Sequence, residues 1–427
     1  MGPATSANRV TAVLCALDTK GEEARFAAAE LRSCGVVPLV IDIGILRDPD
    51  VAPDIPATRV AEAGGTDLQS LRERRDVHGG RSSAISTMAA GAAVVLRELV
   101  DRGRVHSAFG LGGGEGSTIV SAAMRALPIG FPKLLLSTML PDNIGPYFGV
   151  TDLCVMHSVT DIAGLNRISR PIISNAARAA AGMAQPGVGD DDRTTDPPLV
   201  AVTMFGTTTA GGDRIRELLE GVGFETVVFH AVGSGGRAME SLVDAGVIEG
   251  VVDLTPSEIT DAELGGIFTA GPHRMEAAGR KGLPQVVAPG ALAQITFGGP
   301  DSVPEKYREG HLMLAHSPSV TIVRADEQES ARVADVLADK VLAARGPIAV
   351  AVPRGGISDY ERPGAPLADA EADEAIFRTL RARLDGHVPY RELSADINSA
   401  EFAQLVSSLF LEAWVKSGRP LPGVPTE

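Results

Sequence analysis

Between Phe109 and Thr118 the chain reads Phe-Gly-Leu-Gly-Gly-Gly-Glu-Gly-Ser-Thr, directly after a short apolar run and directly before a helix-like stretch. Glycine lets backbone N–H groups approach an anion closely, and a helix N-terminus adds about half a positive charge. Gly112, Gly113, Gly114, Glu115, Gly116, Ser117 and Thr118 are therefore the first candidates for a phosphate-binding turn. Ser117 and Thr118 would donate hydroxyls to phosphate or cap the helix. No Gly-Lys-Ser/Thr closes the turn, so it is not a Walker loop. It matches the dinucleotide fingerprint only in part, with Ser117 in place of the third glycine and no acidic residue well placed for a ribose. A tight strand–helix turn without any ligand is the plainer alternative.

Other polar turns follow apolar runs. Asp18-Thr19-Lys20-Gly21 leaves the first strand, where Lys20 could meet phosphate and Asp18 a metal, or the segment could simply cap a helix. Ser137-Thr138 begins a turn that continues through Pro141-Asp142-Asn143, and His157 ends another run. Later in the chain, Phe205–Thr209 and Val232–Gly236 are weaker turns of the anion-binding type. Asp253, Thr255, Ser257 and Glu258 follow a strand, His273 and Arg274 sit in a Gly-Pro turn, and His311 and His316 flank a short apolar segment. Arg354 with two glycines and Ser358 reads as an oxyanion or carboxylate pocket, and His316, Arg354 and Ser358 are the weak catalytic candidates. His-Glu-x-x-His, Cys-x-x-Cys and Gly-x-Ser-x-Gly are all absent, which leaves zinc-motif and serine hydrolysis without support.

These turns need a framework. The chain has 427 residues, enough for two or three domains, and its 44% hydrophobic content supplies a sizeable core. Strand-like runs at Thr11–Leu17, Pro38–Ile43, Ser107–Leu111, Lys133–Ser137 and Leu153–Met156 alternate with helical stretches at Gly21–Ser33, Ala84–Asp101 and Thr118–Ala126. A second series runs through Leu199–Met204, Thr226–His230, Gly250–Leu254, Gln285–Ala288, Val320–Arg324 and Ile348–Val352. Continuous apolar strands between helices predict an α/β chain of two Rossmann-like, doubly wound domains with mainly parallel sheets facing a cleft. The Pro-, Gly- and Asp-rich segment 185–198 divides a nucleotide-binding domain, 1–184, from a second Rossmann-like domain, 199–427. Residues 48–80 lack periodicity and read as a long excursion.

A net charge of −15 and 4% aromatic residues oppose a nucleic-acid partner. Three cysteines without paired spacing exclude a disulfide framework. No signal pattern is present and no apolar stretch reaches the roughly 18 residues of a membrane span, so a cytoplasmic protein without a membrane partner is expected.

The glycine turn, the following Leu127-Pro-Ile-Gly-Phe-Pro-Lys133 segment, Thr151-Asp-Leu and Ser174-Asn-Ala-Ala177 resemble the ATP-binding family named for the tomato mosaic virus resistance protein. The resemblance covers nearly the whole chain. It implies two Rossmann-like domains, an ATP or related nucleotide site in the N-terminal one, and homo-oligomers. On the residues' own chemistry, Mg2+ near Asp18 could accompany the nucleotide phosphates. In plant relatives a TIM-barrel domain follows this module, which would make the barrel a separate partner here. The expected function is an ATP-binding metabolic enzyme acting on a small acidic molecule in the interdomain cleft. The alternative is a non-catalytic, nucleotide-gated module working with the barrel partner.

Overall fold

The computed structural model describes residues 9–75, 77–139, 149–186 and 196–423. Pro141, Asp142, Asn143 and most of the expected linker lie outside them. The chain divides into two compact units, 1–194 and 195–427.

The first unit runs β1 (Val10–Cys15), α1 (Leu17–Ser33), β2 (Val37–Asp42), α2 (Ala57–Ala63), α3 (Leu68–Arg75), α4 (Gly80–Asp101), β3 (Ser107–Gly112), α5 (Gly114–Arg125), β4 (Lys133–Ser137), β5 (Cys154–His157) and α6 (Ser169–Met183). The five strands are parallel in the order β2-β1-β3-β4-β5. The pleat of β1 divides its side chains between two cores. Ala12 and Leu14 pack with α2 to α5, whereas Val13 and Cys15 pack with α1 and α6. The sheet is thus covered on both faces, as its apolar strands require.

Two helices begin earlier than their sequence pattern indicates. α1 starts at Leu17 because the Leu17 amide donates to Asp42 Oδ1 at 3.0 Å, a cap delivered from the end of β2. The Asp18–Lys20 turn is therefore the first helical turn, with Lys20 kinked out at φ −130° and ψ 27°. α5 starts at Gly114, not Thr118, and the Ser117 amide closes its first turn on the Gly113 carbonyl at 2.8 Å. The 48–80 excursion holds α2 and α3, which bury Val60, Ala61, Leu68 and Leu71 in the α4 core. α4 itself corrects one expectation: by length and composition it is apolar enough to cross a membrane. Its Ala84, Met88, Ala92, Val95 and Leu96 are committed to the core beneath the sheet.

The second unit runs β6 (Leu199–Met204), α7 (Thr209–Val222), β7 (Glu225–His230), α8 (Ser234–Asp244), β8 (Gly250–Asp253), α9 (Glu258–Leu264), α10 (Ala277–Lys281), β9 (Gln285–Val287), β10 (Gln294–Phe297), α11 (Glu305–Arg308), β11 (Met313–Ser317), β12 (Val320–Arg324), α12 (Glu327–Leu342), β13 (Ile348–Pro353), α13 (Ala370–Leu384), β14 (Tyr390–Leu393) and α14 (Ala400–Lys416). Six strands form a parallel sheet in the order β14-β13-β9-β8-β6-β7. β12, expected among the parallel strands, is instead the centre of an antiparallel sheet β10-β12-β11 inserted between β9 and β13. α14 lays Phe402, Val406, Phe410 and Trp414 in one core with Val252 of β8, Val286 of β9 and Ala351 of β13.

Asp261 ties this insertion to α9. It is 2% exposed and accepts from the amides of Thr296 (2.8 Å) and Phe268 (2.9 Å). Burial, only partly offset by those donors, raises its pKa to about 7. The folded chain therefore keeps this proton to about pH 7, while the unfolded chain loses it in the ordinary aspartate range. The folded state binds more protons in that window, so stability falls as pH rises through it, by up to about 1.4 kcal/mol per pH unit. In urea unfolding followed between pH 4 and pH 8, Asp261→Asn should be less stable overall but lack this falling component. A wild-type-like slope in the variant would assign the effect to another group.

Candidate functional site

The order β2-β1-β3-β4-β5 places a topological switch between β1 and β3. From β1 the chain turns to the α1 face, and from β3 to the α5 face. The two connections diverge at the strands' carboxyl ends and open a crevice, the place where ligands of open α/β sheets bind. A cavity of about 630 Å3 lies there, walled by Asp18–Lys20, Ile43–Leu46, Arg75, Arg81 and the glycine turn.

The turn is braced from beneath. Ser117 is fully buried, and its hydroxyl donates to the Gly112 carbonyl (3.1 Å) and shares a hydrogen bond with Ser137 Oγ (2.8 Å). The Thr138 amide donates to that same Gly112 carbonyl at 3.2 Å. Ser117, Ser137 and Thr138 thus hold the turn's shape and do not line the cavity, whereas Asp18, Thr19, Lys20, Gly112, Gly113, Gly114, Glu115, Gly116 and Thr118 do. Thr118 turns its hydroxyl back onto the Gly114 carbonyl at 2.9 Å.

The glycines divide by what a side chain would meet. A Cβ on Gly110 would lie 2.2 Å from Val120 Cγ1, and one on Gly112 would lie 2.5 Å from the Ser117 amide nitrogen. Packing demands glycine at both. At Gly113, Gly114 and Gly116 the nearest protein atoms would be 3.8, 3.6 and 3.7 Å away, and none of the three has positive φ. Neither packing nor backbone strain explains these three. Their missing side chains keep the cavity floor bare, exposing the first-turn amides of α5, which starts without a side-chain cap.

The remaining walls are charged. Asp18 is 2% exposed; its Oδ2 accepts from the Leu46 amide at 2.7 Å, while its buried Oδ1 has no hydrogen-bond partner. Asp42 accepts from the amides of Leu17 and Gly44, and burial raises its pKa despite those bonds. The two carboxylates fasten the loop after β2 to the start of α1. Lys20 Nζ donates to the Ile162 carbonyl, which holds the amine at the cavity edge. Glu115 pairs with Arg75 at 3.4 Å and also with Arg81. Both arginines escaped the sequence reading; the signal available was the basic run at the end of the 48–80 excursion.

The family-like segment ending at Lys133 proves structural. Lys133 is fully buried, donates to the carbonyls of Pro128 and Phe131 at 2.8 Å and pairs with Asp152 at 2.6 Å. Burial lowers its pKa and Asp152 opposes that shift. His157 ends β5 with its side chain exposed.

In the second unit the corresponding switch lies between β6 and β8. The turn at Val232–Gly236, which follows the neighbouring edge strand β7, is already filled: Glu258 Oε1 accepts from the amides of Gly233 (2.6 Å) and Gly236 (3.0 Å). Glu258 Oε2 takes Arg274 Nε at 2.6 Å, and Arg274 also grips Asp253 with both terminal nitrogens. Burial works against the Arg274 charge, but Asp253 and Glu258 hold its pKa above the ordinary range. In the Phe205–Thr209 turn, Thr208 Oγ1 is engaged by the Phe205 amide and Thr255 Oγ1. His316, Arg354 and Ser358 are not joined by any hydrogen bond among the described residues. Ser358 is buried and held by Gln294 (2.8 Å), His316 faces the Tyr360 hydroxyl (3.0 Å), and Arg354 pairs with Glu374 (2.7 Å) above the Phe377 ring.

The two glycine classes predict opposite responses. Gly112→Ala should lower stability by about 1–3 kcal/mol through overpacking. Gly116→Ala, inside α5 with room for its methyl, should be neutral or stabilising by up to about 1 kcal/mol. Urea unfolding of both variants would check this; equal destabilisation would mean that packing accounts for Gly116 too.

Comparison with known proteins sets the chain among relatives. Residues 9–187 match the N-terminal domain of Uncharacterised protein family (UPF0261), and residues 197–414 match its C-terminal domain. A UPF0261 protein of Clostridium tetani is 38% identical over 397 residues, covering 93% of this chain and 96% of that one. One from Mesorhizobium japonicum is 38% identical over 398 residues, covering 92% and 96%. The ToMV resistance protein Tm-1 of Solanum lycopersicum is 32% identical over 438 residues, covering 97% of this chain but 57% of that protein. With both domains matched in order along nearly its full length, the chain belongs to the UPF0261 family.

Proposed function

We propose that the first unit binds a nucleotide by its phosphates, with ATP as the reference ligand that the family resemblance implies. One observation carries the reading: Gly113, Gly114 and Gly116 are glycines that neither packing nor φ requires, and they floor a cavity of about 630 Å3 at the β1/β3 switch. Backbone amides at a helix start read phosphate without reading a base. Arg75 and Arg81 supply the cations, and Glu115 holds them in place as a resident anion that phosphate would displace. The buried, unpartnered Asp18 Oδ1 fits a role toward Mg2+, an ion that takes one or two carboxylates together with phosphate oxygens.

The cavity lining favours a module that binds its nucleotide without transforming it alone. Among the described residues that wall it there is no histidine, cysteine or serine. Glu115 is committed to two arginines and Asp18 Oδ2 to the Leu46 amide, and the remaining Asp18 Oδ1 is the oxygen assigned to the ion. A base for proton transfer would have to come from elsewhere.

Calorimetric titration of ATP with Mg2+ tests the assignment. Gly114→Val should abolish binding while leaving the circular dichroism spectrum intact. Arg81→Ala should weaken ATP about tenfold and leave adenosine unaffected. Glu115→Gln, which removes the competing carboxylate, should tighten ATP. Affinity unchanged in all three would remove the proposed cradle. Accumulation of ADP from ATP by the protein alone would overturn the non-catalytic reading while leaving the binding reading in place.

A further inference from the structure

Away from this cavity, the second unit brings together three side chains that the sequence keeps apart. His311 lies just ahead of β11, and Asp326 and Glu329 sit at the start of α12. His311 Nε2 is 3.1 Å from Glu329 Oε2 and 3.9 Å from Asp326 Oδ2. One ligand atom from each residue lies within 4.8 Å of the others. A tetrahedral shell with bonds of about 2.1 Å needs ligand atoms about 3.4 Å apart, so only small side-chain shifts separate this arrangement from coordination.

The imidazole is already oriented. Its Nδ1 faces the Glu309 carbonyl at 3.4 Å, which leaves Nε2 for the carboxylate side, and Tyr307 packs edge-on against the ring at 5.2 Å. Metal-bound histidines are held in this way, with the second ring nitrogen directed at a carbonyl or carboxylate. The imidazole side chain is only 12% exposed.

Helix capping explains part of the cluster. Asp326 Oδ1 accepts from the Glu329 amide at 2.8 Å, and Glu329 Oε2 accepts from the Asp326 amide at 3.2 Å. These bonds do not use Asp326 Oδ2, and no lysine or arginine among the described residues pairs with either carboxylate. Two carboxylates facing one imidazole leave negative charge for a cation to neutralise.

We propose that His311, Asp326 and Glu329 bind a divalent first-row transition metal, with Zn2+ as the reference ion, and that the metal staples the 305–317 segment to the first turn of α12. The imidazole selects such an ion over Mg2+ or Ca2+, which prefer all-oxygen shells. Three protein ligands leave a fourth position for water. The site lies wholly within the second unit and is independent of the nucleotide reading.

The capping box provides the control. Asn caps a helix as well as Asp, and Gln serves at the third position as Glu does, so the double variant Asp326→Asn/Glu329→Gln keeps the helix start and loses both charged ligands. Chelator-stripped, tag-free, full-length protein would be titrated with Zn2+ in the calorimeter and with Co2+ in the visible spectrophotometer. The wild type should bind one equivalent, give ligand-field bands with Co2+, and melt at higher temperature with Zn2+ present. The double variant and His311→Gln, each checked for native circular dichroism, should bind at least tenfold more weakly and lose the bands and the thermal shift. The proposal is overturned if the wild type takes up no saturating equivalent. It is equally overturned if the folded variants bind as the wild type does.

Discussion

Everything in the N-terminal unit follows from the way the chain leaves β1 and β3. A parallel sheet with both faces apolar must be covered on both sides, and a chain that covers first one face and then the other has to part company with itself somewhere. It does so between these two neighbouring strands, and the parting leaves a crevice rimmed by carboxyl ends and helix starts. The buried carboxylates Asp18 and Asp42 hold the wall on one side. The Gly112–Ser117–Ser137 hydrogen bonds hold the floor on the other. A fold requirement thereby becomes a cavity of defined shape before any ligand is considered.

The two units resolve the same geometric problem differently. In the first, the glycine turn keeps three positions bare and its neighbouring carboxylate, Glu115, sits on the surface side with two arginines. In the second, Glu258, just after β8, reaches into the glycine turn that follows β7, takes two of its amides and is locked there by Arg274. A buried ion network of that kind contributes little net stability, but removing one member would strand the others, at a cost of about 3–5 kcal/mol. Asp253, Glu258 and Arg274 therefore serve the second unit's own architecture.

Much of the framework was legible in the sequence. β4 and β6 are bounded as their apolar runs suggest, each beginning directly after a proline. What escaped was information carried across space. The start of α1 depends on Asp42 of a neighbouring strand, which no local pattern records. β12 has the composition of a parallel strand, and only its partners β10 and β11 make it antiparallel. At the site, the glycine turn announced itself, but its residues proved to have two occupations. Gly113, Gly114 and Gly116 face the cavity while Ser117, with Ser137, braces from below. Arg75 and Arg81 left only a basic run as a signal, since their relevance arises when α3 and α4 fold against the turn. The Lys133 segment carried the clearest family likeness and turned out to be a buried lock, a reminder that a recognisable motif and a ligand contact are separate things.

The Glu258 carboxylate has one more consequence. Being tethered a few ångströms from the Gly233 and Gly236 amides, it is present there at an effective concentration that no dissolved metabolite reaches. That turn is therefore insulated from the changing pool of phosphorylated solutes around the protein. Glu115, held on the rim by two arginine side chains, has no such hold on the amides of its own turn. One chain thus carries a glycine turn plugged by its own carboxylate and another left unplugged.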